Sequence, residues 1–308
     1  MSSGSADGQP ASNVTADGTT LSEASFRGSR ASKIVWCGWS PAGDQPPRAV
    51  VTIAHGYGEH SGRYQHVAQR LTDAGYAVYA PDHHGHGRSE GKRGRISLAA
   101  AVTDLDQLIV MIAKGRNPDS PQFLLGHSMG GALALRYAMR HQDRLTGLVL
   151  SAPLAAVDGG PALKALAKLL GTVVPGAPVS RIDPRLISRD NRVVTAYAAD
   201  PLNYHGAVCA TVAREFILHA DSLAKDLSQI KLPTLLMWGT ADHLCPPRGA
   251  ELIAARIGST DLTATAYPGL FHEIMNEPER ERVLDQIVDW IAAHIPGDAQ
   301  PTGAQPSP

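Results

Sequence analysis

A chain of 308 residues, 43% of them hydrophobic, is long enough to bury a large core, whether as one big α/β domain or as a domain carrying an insertion. Its 28 Lys and Arg balance 29 Asp and Glu to a net charge of -1, and outside the short Lys92-Arg93-Gly94-Arg95 patch there is no dense basic run, which argues against a nucleic-acid partner. Three scattered cysteines, Cys37, Cys209 and Cys245, fit a reducing compartment without a disulfide framework or zinc site, and no apolar run approaches the roughly 18 residues of a membrane span, so a cytoplasmic protein with peripheral membrane contact at most is expected.

The segment Met1 to Arg30 is rich in Ser, Gly, Ala, Asp and Thr and has neither a basic start nor an apolar stretch. It reads as a disordered tail over residues 1–30 and not as a secretory signal. From there, short β-rich apolar runs alternate with helical patterns. The strands are expected at Lys33 to Trp39, Ala49 to His55, Ala77 to Pro81, Gln122 to His127, Leu148 to Ser151, Pro233 to Trp238 and Leu262 to Tyr267. The helices are expected at Gly62 to Ala74, Ser97 to Lys114, Met129 to His141, Pro247 to Ile257 and Glu279 to His294. Such alternation implies a mostly parallel sheet flanked by helices, an α/β architecture.

The rhythm stops between Pro153 and Lys231, a stretch too long for a plain connection. An inserted, mainly helical cap is expected over 154–228, splitting the core into 31–153 and 229–295, with a second disordered tail over 296–308. Inside the cap, Leu163, Leu166 and Leu170 fall at helical spacing, with Leu169, Val173 and Val174 widening the apolar face. That face is either buried against the core or turned to lipid.

The strongest chemical signal is Gly126-His127-Ser128-Met129-Gly130, preceded by an apolar strand and followed by a helix. This is a nucleophile elbow in its required context: the turn is so sharp that side chains at 126 and 130 would clash, and Ser128 is exposed at a helix N-terminus, where developing negative charge is favoured. A serine hydroxyl needs a base, and the base needs a group to orient it. Asp242, just past the strand Pro233 to Trp238, and His272, just past Leu262 to Tyr267, supply both in the chain order Ser, Asp, His of α/β-hydrolases. The backbone N–H groups of Tyr57, in the turn His55-Gly56-Tyr57-Gly58, and of Met129 are the candidate oxyanion donors. The histidines of Asp82-His83-His84-Gly85-His86 lack a second ligand group at metal spacing and read as a structural loop.

These strings, with His55-Gly56-Tyr57-Gly58-Glu59-His60-Ser61-Gly62-Arg63-Tyr64, Tyr197-Ala198-Ala199-Asp200-Pro201-Leu202 and Tyr267-Pro268-Gly269-Leu270-Phe271-His272-Glu273, resemble the monoacylglycerol lipases and their lysophospholipase-like relatives. The resemblance covers about Lys33 to Ile295. It implies an eight-stranded core, a helical cap forming an apolar acyl channel and docking on membranes, and hydrolysis of monoacylglycerols to glycerol and fatty acid without metal or cofactor. It also implies a glycerol site at Glu59, Arg63 and Tyr197, although Glu59 and Arg63 alternatively form a structural ion pair. Tyr57 departs from the smaller or aliphatic residue common in relatives. A lysophospholipase or short-chain carboxylesterase would use the same triad, and a non-catalytic binding module would have no need of it.

Overall fold

The computed structural model describes residues 11–14, 19–43, 45–115 and 117–297. Along the chain run β1 (Ala11–Val14), β2 (Thr20–Arg27), β3 (Lys33–Ser40), β4 (Ala49–Ala54), α1 (Gln65–Asp73), β5 (Tyr76–Pro81), α2 (Leu98–Gly115), β6 (Gln122–His127), α3 (Met129–His141) and β7 (Gly147–Ser151). The cap segment contributes α4 (Pro161–Val173), β8 (Pro178–Ser180), α5 (Asn191–Ala199), β9 (Val208–Cys209) and α6 (Ala210–Asp226). The chain then returns to the core through β10 (Thr234–Gly239), α7 (Pro247–Arg256), β11 (Leu262–Tyr267) and α8 (Arg280–Ala293).

The central sheet has the order β1-β2-β3-β5-β4-β6-β7-β10-β11, parallel from β5 to β11, with β1 to β3 antiparallel at one end. The four-residue β1 is a ninth strand beyond the eight expected. Strands β4 and β6 are buried along their whole length, as parallel strands covered on both faces must be. Consecutive side chains alternate between two cores: Leu124 and Leu236 pack with Leu105 of α2, Leu133 of α3 and Ile253 of α7. Their neighbours Leu125 and Leu235 pack with Val67 of α1 and Ile287 of α8. The chain runs from β4 outward to β5 and then back across to β6, so strand order reverses beside β4 and β6, and the crevice above their carboxyl ends is where ligands gather in open α/β sheets.

One expectation is corrected. Residues 20–27 are not a disordered tail: β2 pairs antiparallel with β3 in continuous register from Thr20 opposite Ser40 to Arg27 opposite Lys33. Its hairpin closes through Ala31 N–H to Gly28 O (2.9 Å), with Ala31 at φ 57. Leu21, Ala24 and Phe26 lie against the core, and the Ser, Glu and Arg between them are tolerated because the strand is only half-covered. That thin apolar pattern hid the strand. Residues 11–14 of the same expected tail pair with β2 as β1, and residues 1–10, 15–18 and 298–308 of the expected tails lie outside the described residues.

The cap also holds a feature the helical pattern did not reveal, the small antiparallel pair β8–β9. Helix α4 packs on α6 through Ala167 and Gly171, where an added Cβ would stand 2.6 Å from Ala210 O and from the Arg214 side chain. The leucines take the opposite face: Leu163 is 60% exposed, Leu166 50%, Leu169 58% and Val173 68%. Burial of that face against the core is therefore excluded. Among the described residues no helix is long and apolar enough to cross a membrane.

Removing residues 1–30 strips β2 from β3 and exposes Trp36, Cys37 and Trp39 at the new edge. Such a truncation is expected to lower the thermal midpoint by several degrees, since about 1 kcal/mol shifts the midpoint by roughly 2–4 °C in domains of about 150–250 residues. Thermal denaturation of the full and shortened chains checks this, and an unchanged midpoint would refute the structural role of β2.

Candidate active site

Ser128 caps the N-terminus of α3 with φ 55 and ψ −120, a conformation that only three non-glycine residues share in sign of φ among those described. The glycines around it are sterically required. A Cβ on Gly130 would lie 1.9 Å from Ala54 O, and one on Gly126 would lie 2.4 Å from Gly130 O, both backbone atoms that cannot yield. Ser128 N–H donates to Ser151 O (3.1 Å) and Leu154 N–H to Ser128 O (2.9 Å), which tie the elbow to β7 and to the start of the cap segment.

Asp242, in the loop after β10, accepts from His272 Nδ1 at 2.7 Å through Oδ2 and from the N–H groups of Leu244 (2.8 Å) and Cys245 (2.9 Å) through Oδ1. Both side chains are nearly inaccessible. Burial works to raise the Asp242 pKa, but the charge of His272 and these donors hold it below the ordinary carboxylate value. Burial likewise works to lower the His272 pKa, and Asp242, followed by Glu273 and Glu59, overcomes it and raises it above 6.5. With Nδ1–H committed to Asp242, Nε2 is the free basic nitrogen.

Ser128 and His272 line one cavity of about 510 Å3, within the size range of small-molecule sites. Leu154, Val157, Leu163, Ala167, Phe216 and Ile217 form an apolar wall, while Glu59, His127, Tyr197 and Glu273 form a polar end. Tyr57 and Met129 face the same space. Among the described residues, neither backbone N–H donates to a protein acceptor. The turn carrying Tyr57 is held by Gly56 N–H to Glu59 Oε1 (2.6 Å), and the Tyr57 ring is fixed by its hydroxyl on Gly94 O (2.9 Å) and by edge contacts to Phe216 and Tyr204. Beneath it, His55 donates through Nδ1 to Gly56 O (2.7 Å) and accepts His83 N–H on Nε2 (2.9 Å). The His83 and His86 rings pack 4.2 and 5.6 Å from His55, and burial pushes His86 down to about 3, so these histidines form a neutral support under the loop.

The three residues expected at a glycerol site divide. Glu59 and Tyr197 line the cavity; Arg63 does not, and lies behind Glu59 and Glu273. Its Nη1 donates to Glu59 Oε2 (2.6 Å) and Glu273 Oε1 (2.7 Å), its Nη2 to Glu273 Oε2 (2.7 Å), and its guanidinium sits 4.8 Å over the Tyr197 ring. The ion-pair alternative for Glu59 and Arg63 is thus realised. Burial would raise the Glu59 pKa, yet Arg63 brings it down to about 2, so Glu59 is ionised. Glu273 escaped the sequence reading, its only signal there being adjacency to His272.

The family profile described as "Serine aminopeptidase, S33" matches residues 45–279. A monoacylglycerol lipase of Mycolicibacterium smegmatis is 43% identical over 90% of this chain and 99% of its own length. The monoglyceride lipase of Rattus norvegicus is 37% identical over 83% of this chain and 86% of its own. Among solved structures, the monoacylglycerol lipase of Paleococcus ferrophilus superposes with a TM-score of 0.77 at 34% identity, covering 85% of this chain and 99% of that one.

Cys245 Sγ lies 3.8 Å from Ser128 Oγ, and burial drives its thiol well above the ordinary value of 9.0. Alkylation by a bulky maleimide is expected to block turnover, at a rate that climbs with pH as the thiolate forms. Cys245→Ala should keep most turnover and lose the sensitivity. Turnover lost as fully as in Ser128→Ala would instead make the thiol essential.

Proposed function

The chain belongs to the monoacylglycerol lipase family of serine hydrolases, and on that premise we propose that it cleaves monoacylglycerols to glycerol and a free fatty acid through an acyl-enzyme on Ser128. The observation that carries this reading is the elbow serine sharing a large apolar cavity with a histidine bonded at 2.7 Å to a buried aspartate. Ser128 Oγ attacks the acyl carbonyl while His272 Nε2 takes its proton, and the resulting oxyanion rests on the N–H groups of Tyr57 and Met129. His272 then protonates the departing glycerol oxygen. A water deprotonated by the same nitrogen attacks the acyl-enzyme and releases the fatty acid.

Asp242 stabilises the imidazolium formed in each half-reaction. Only neutral His272 can accept the serine proton, so activity is lost as pH falls through its raised pKa, and the acid limb of kcat/KM lies above 6.5. The apolar wall takes the acyl chain and the polar end takes glycerol, with Tyr197 OH, weakly held on Gly58 O at 3.4 Å, and the remaining lone pairs of Glu59 and Glu273 as hydroxyl partners. Diacyl- and triacylglycerols would press hydrocarbon on those groups and leave them unpaired.

Ser128→Ala and His272→Ala are expected to lower kcat by roughly 10⁴–10⁶ and Asp242→Asn by about 10⁴. Wild-type enzyme should prefer monooleoylglycerol over di- and trioleoylglycerol by on the order of a hundredfold, the cost of two buried unsatisfied partners. Rates on the three lipids and on a lysophospholipid, in matched dispersions, check this. Comparable rates on all three glycerolipids, or a faster rate on the lysophospholipid, would overturn the monoacylglycerol assignment while leaving the esterase chemistry in place.

The exposed leucine face of α4, with Leu163 also lining the cavity, supports peripheral contact between the cap and a lipid surface. Replacing Leu166 and Leu169 with Ser should raise the apparent KM for dispersed long-chain substrate and leave that for a short soluble ester unchanged. Equal effects on both substrates would remove the lipid-docking role.

A further inference from the structure

The two loops that must act together in the proposed chemistry come from different parts of the chain: the turn after β4 offers the Tyr57 amide, and the loop after β11 offers His272. No hydrogen bond directly joins their backbones among the described residues. One side chain spans them. Arg63 holds Glu59, whose other oxygen fixes the Gly56 amide (2.6 Å) and accepts from Tyr64 OH (2.8 Å). With both terminal nitrogens it also holds Glu273, the residue after His272. Glu273 is anchored further by Asn276 Nδ2 (2.8 Å) and, through its own N–H, by Ile187 O of the cap (2.7 Å). The Tyr197 ring closes the third side of the guanidinium, whose side chain is only 10% exposed.

We propose that Arg63 is a positioning residue, a planar clamp that sets the distance between the oxyanion turn and the catalytic-histidine loop by gripping Glu59 on one side and Glu273 on the other. The proposal rests on the esterase reading above. It replaces the glycerol-binding role expected for Arg63, because the guanidinium stands behind the carboxylates and away from the cavity. A fork with two parallel N–H donors can fix the relative orientation of two carboxylates in a way a lysine ammonium cannot. An error of about 1 Å between nucleophile, base and oxyanion donors is enough to cost roughly a hundredfold in rate.

The clamp also makes an electrostatic prediction. The groups around His272 are Asp242 from the β10 loop, Cys245 beyond it, His127 at the end of β6 with its ring 4.8 Å away, Glu59 from the β4 turn, and Glu273 beside it. Burial holds His127 down to about 4, so it is neutral across the working range, and the Cys245 thiol is protonated there. Among the described residues Arg63 is then the one counter-charge to Glu59 and Glu273. Removing it leaves two bare carboxylates that favour the imidazolium; removing the charge of Glu273 does the reverse.

The test uses the full chain and a short soluble ester, with kcat, KM and the pH profile of kcat/KM measured for wild type, Arg63→Lys, Arg63→Met and Glu273→Gln, and folding checked by circular dichroism. Arg63→Met is expected to lower kcat by on the order of tenfold to a hundredfold with KM little changed, and to move the acid limb to higher pH. Glu273→Gln should lower kcat several-fold and move the limb to lower pH. Arg63→Lys, which keeps the charge and loses the fork, should hold the wild-type limb and recover part of kcat. Limb shifts of opposite sign are not produced by a general loosening of structure. If Arg63→Met does not fold, the neutral Glu273→Gln carries the test alone. A Glu273→Gln enzyme with wild-type kcat and acid limb, or both variants shifting the limb the same way, would overturn the clamp. A wild-type enzyme without Ser128-dependent turnover would overturn the esterase reading itself.

Discussion

The backbone of Ser128 is bent into a region that L-residues avoid, and much of the structure is arranged around keeping it there. Such a conformation costs roughly 1–3 kcal/mol and persists only where the surroundings over-determine it. Here the buried strand β6 enters the turn, the buried face of α3 leaves it, and Ser151 O and Leu154 N–H take up the serine's own backbone groups. The helix can approach β4 only because residue 130 has no side chain, with Ala54 O standing where a Cβ would be. The same approach brings the β4 turn alongside α3, which is how Tyr57 and Met129 come to line one cavity.

A second constraint is charge. Asp242, Glu59 and Glu273 are all nearly inaccessible, and an ionised carboxylate in such a place is tolerated only with donors around it. Asp242 has two amides and an imidazole, Glu59 an amide, a phenol and a guanidinium, and Glu273 the guanidinium and an asparagine. The net excess of negative charge falls on His272 and favours its protonated form, the form the proposed mechanism requires when Ser128 gives up its proton. The hydrogen bonds that make these carboxylates stable are thus the ones that shape the surroundings of His272.

The sequence made the elbow legible because glycine at 126 and 130 around a serine, between an apolar strand and a helix, answers a steric demand that little else does. Asp242 and His272 were legible from their places just beyond two β-rich runs, and the structure brings them to 2.7 Å. Strand β2 was not legible, since a half-covered strand near the sheet edge needs few apolar residues and its Ser, Glu and Arg read like those of a tail. The leucine stripe of α4 showed a helix but not the direction of its face, because Ala167 and Gly171 form the buried side and are too small to register as apolar periodicity. Arg63 was legible as belonging to the site, either against substrate or paired with Glu59, and the pairing with Glu59 is present. Its second partner Glu273 is 210 residues away, a pairing that local patterns do not carry.

The most direct measurement of the central claim is to label the purified chain with a fluorophosphonate and locate the adduct by peptide mass mapping. The account predicts a single phosphonyl group on Ser128, formed rapidly in the wild type, absent in Ser128→Ala and strongly slowed in His272→Ala. An adduct on another residue, or labelling of Ser128 that proceeds unchanged without His272, would contradict it.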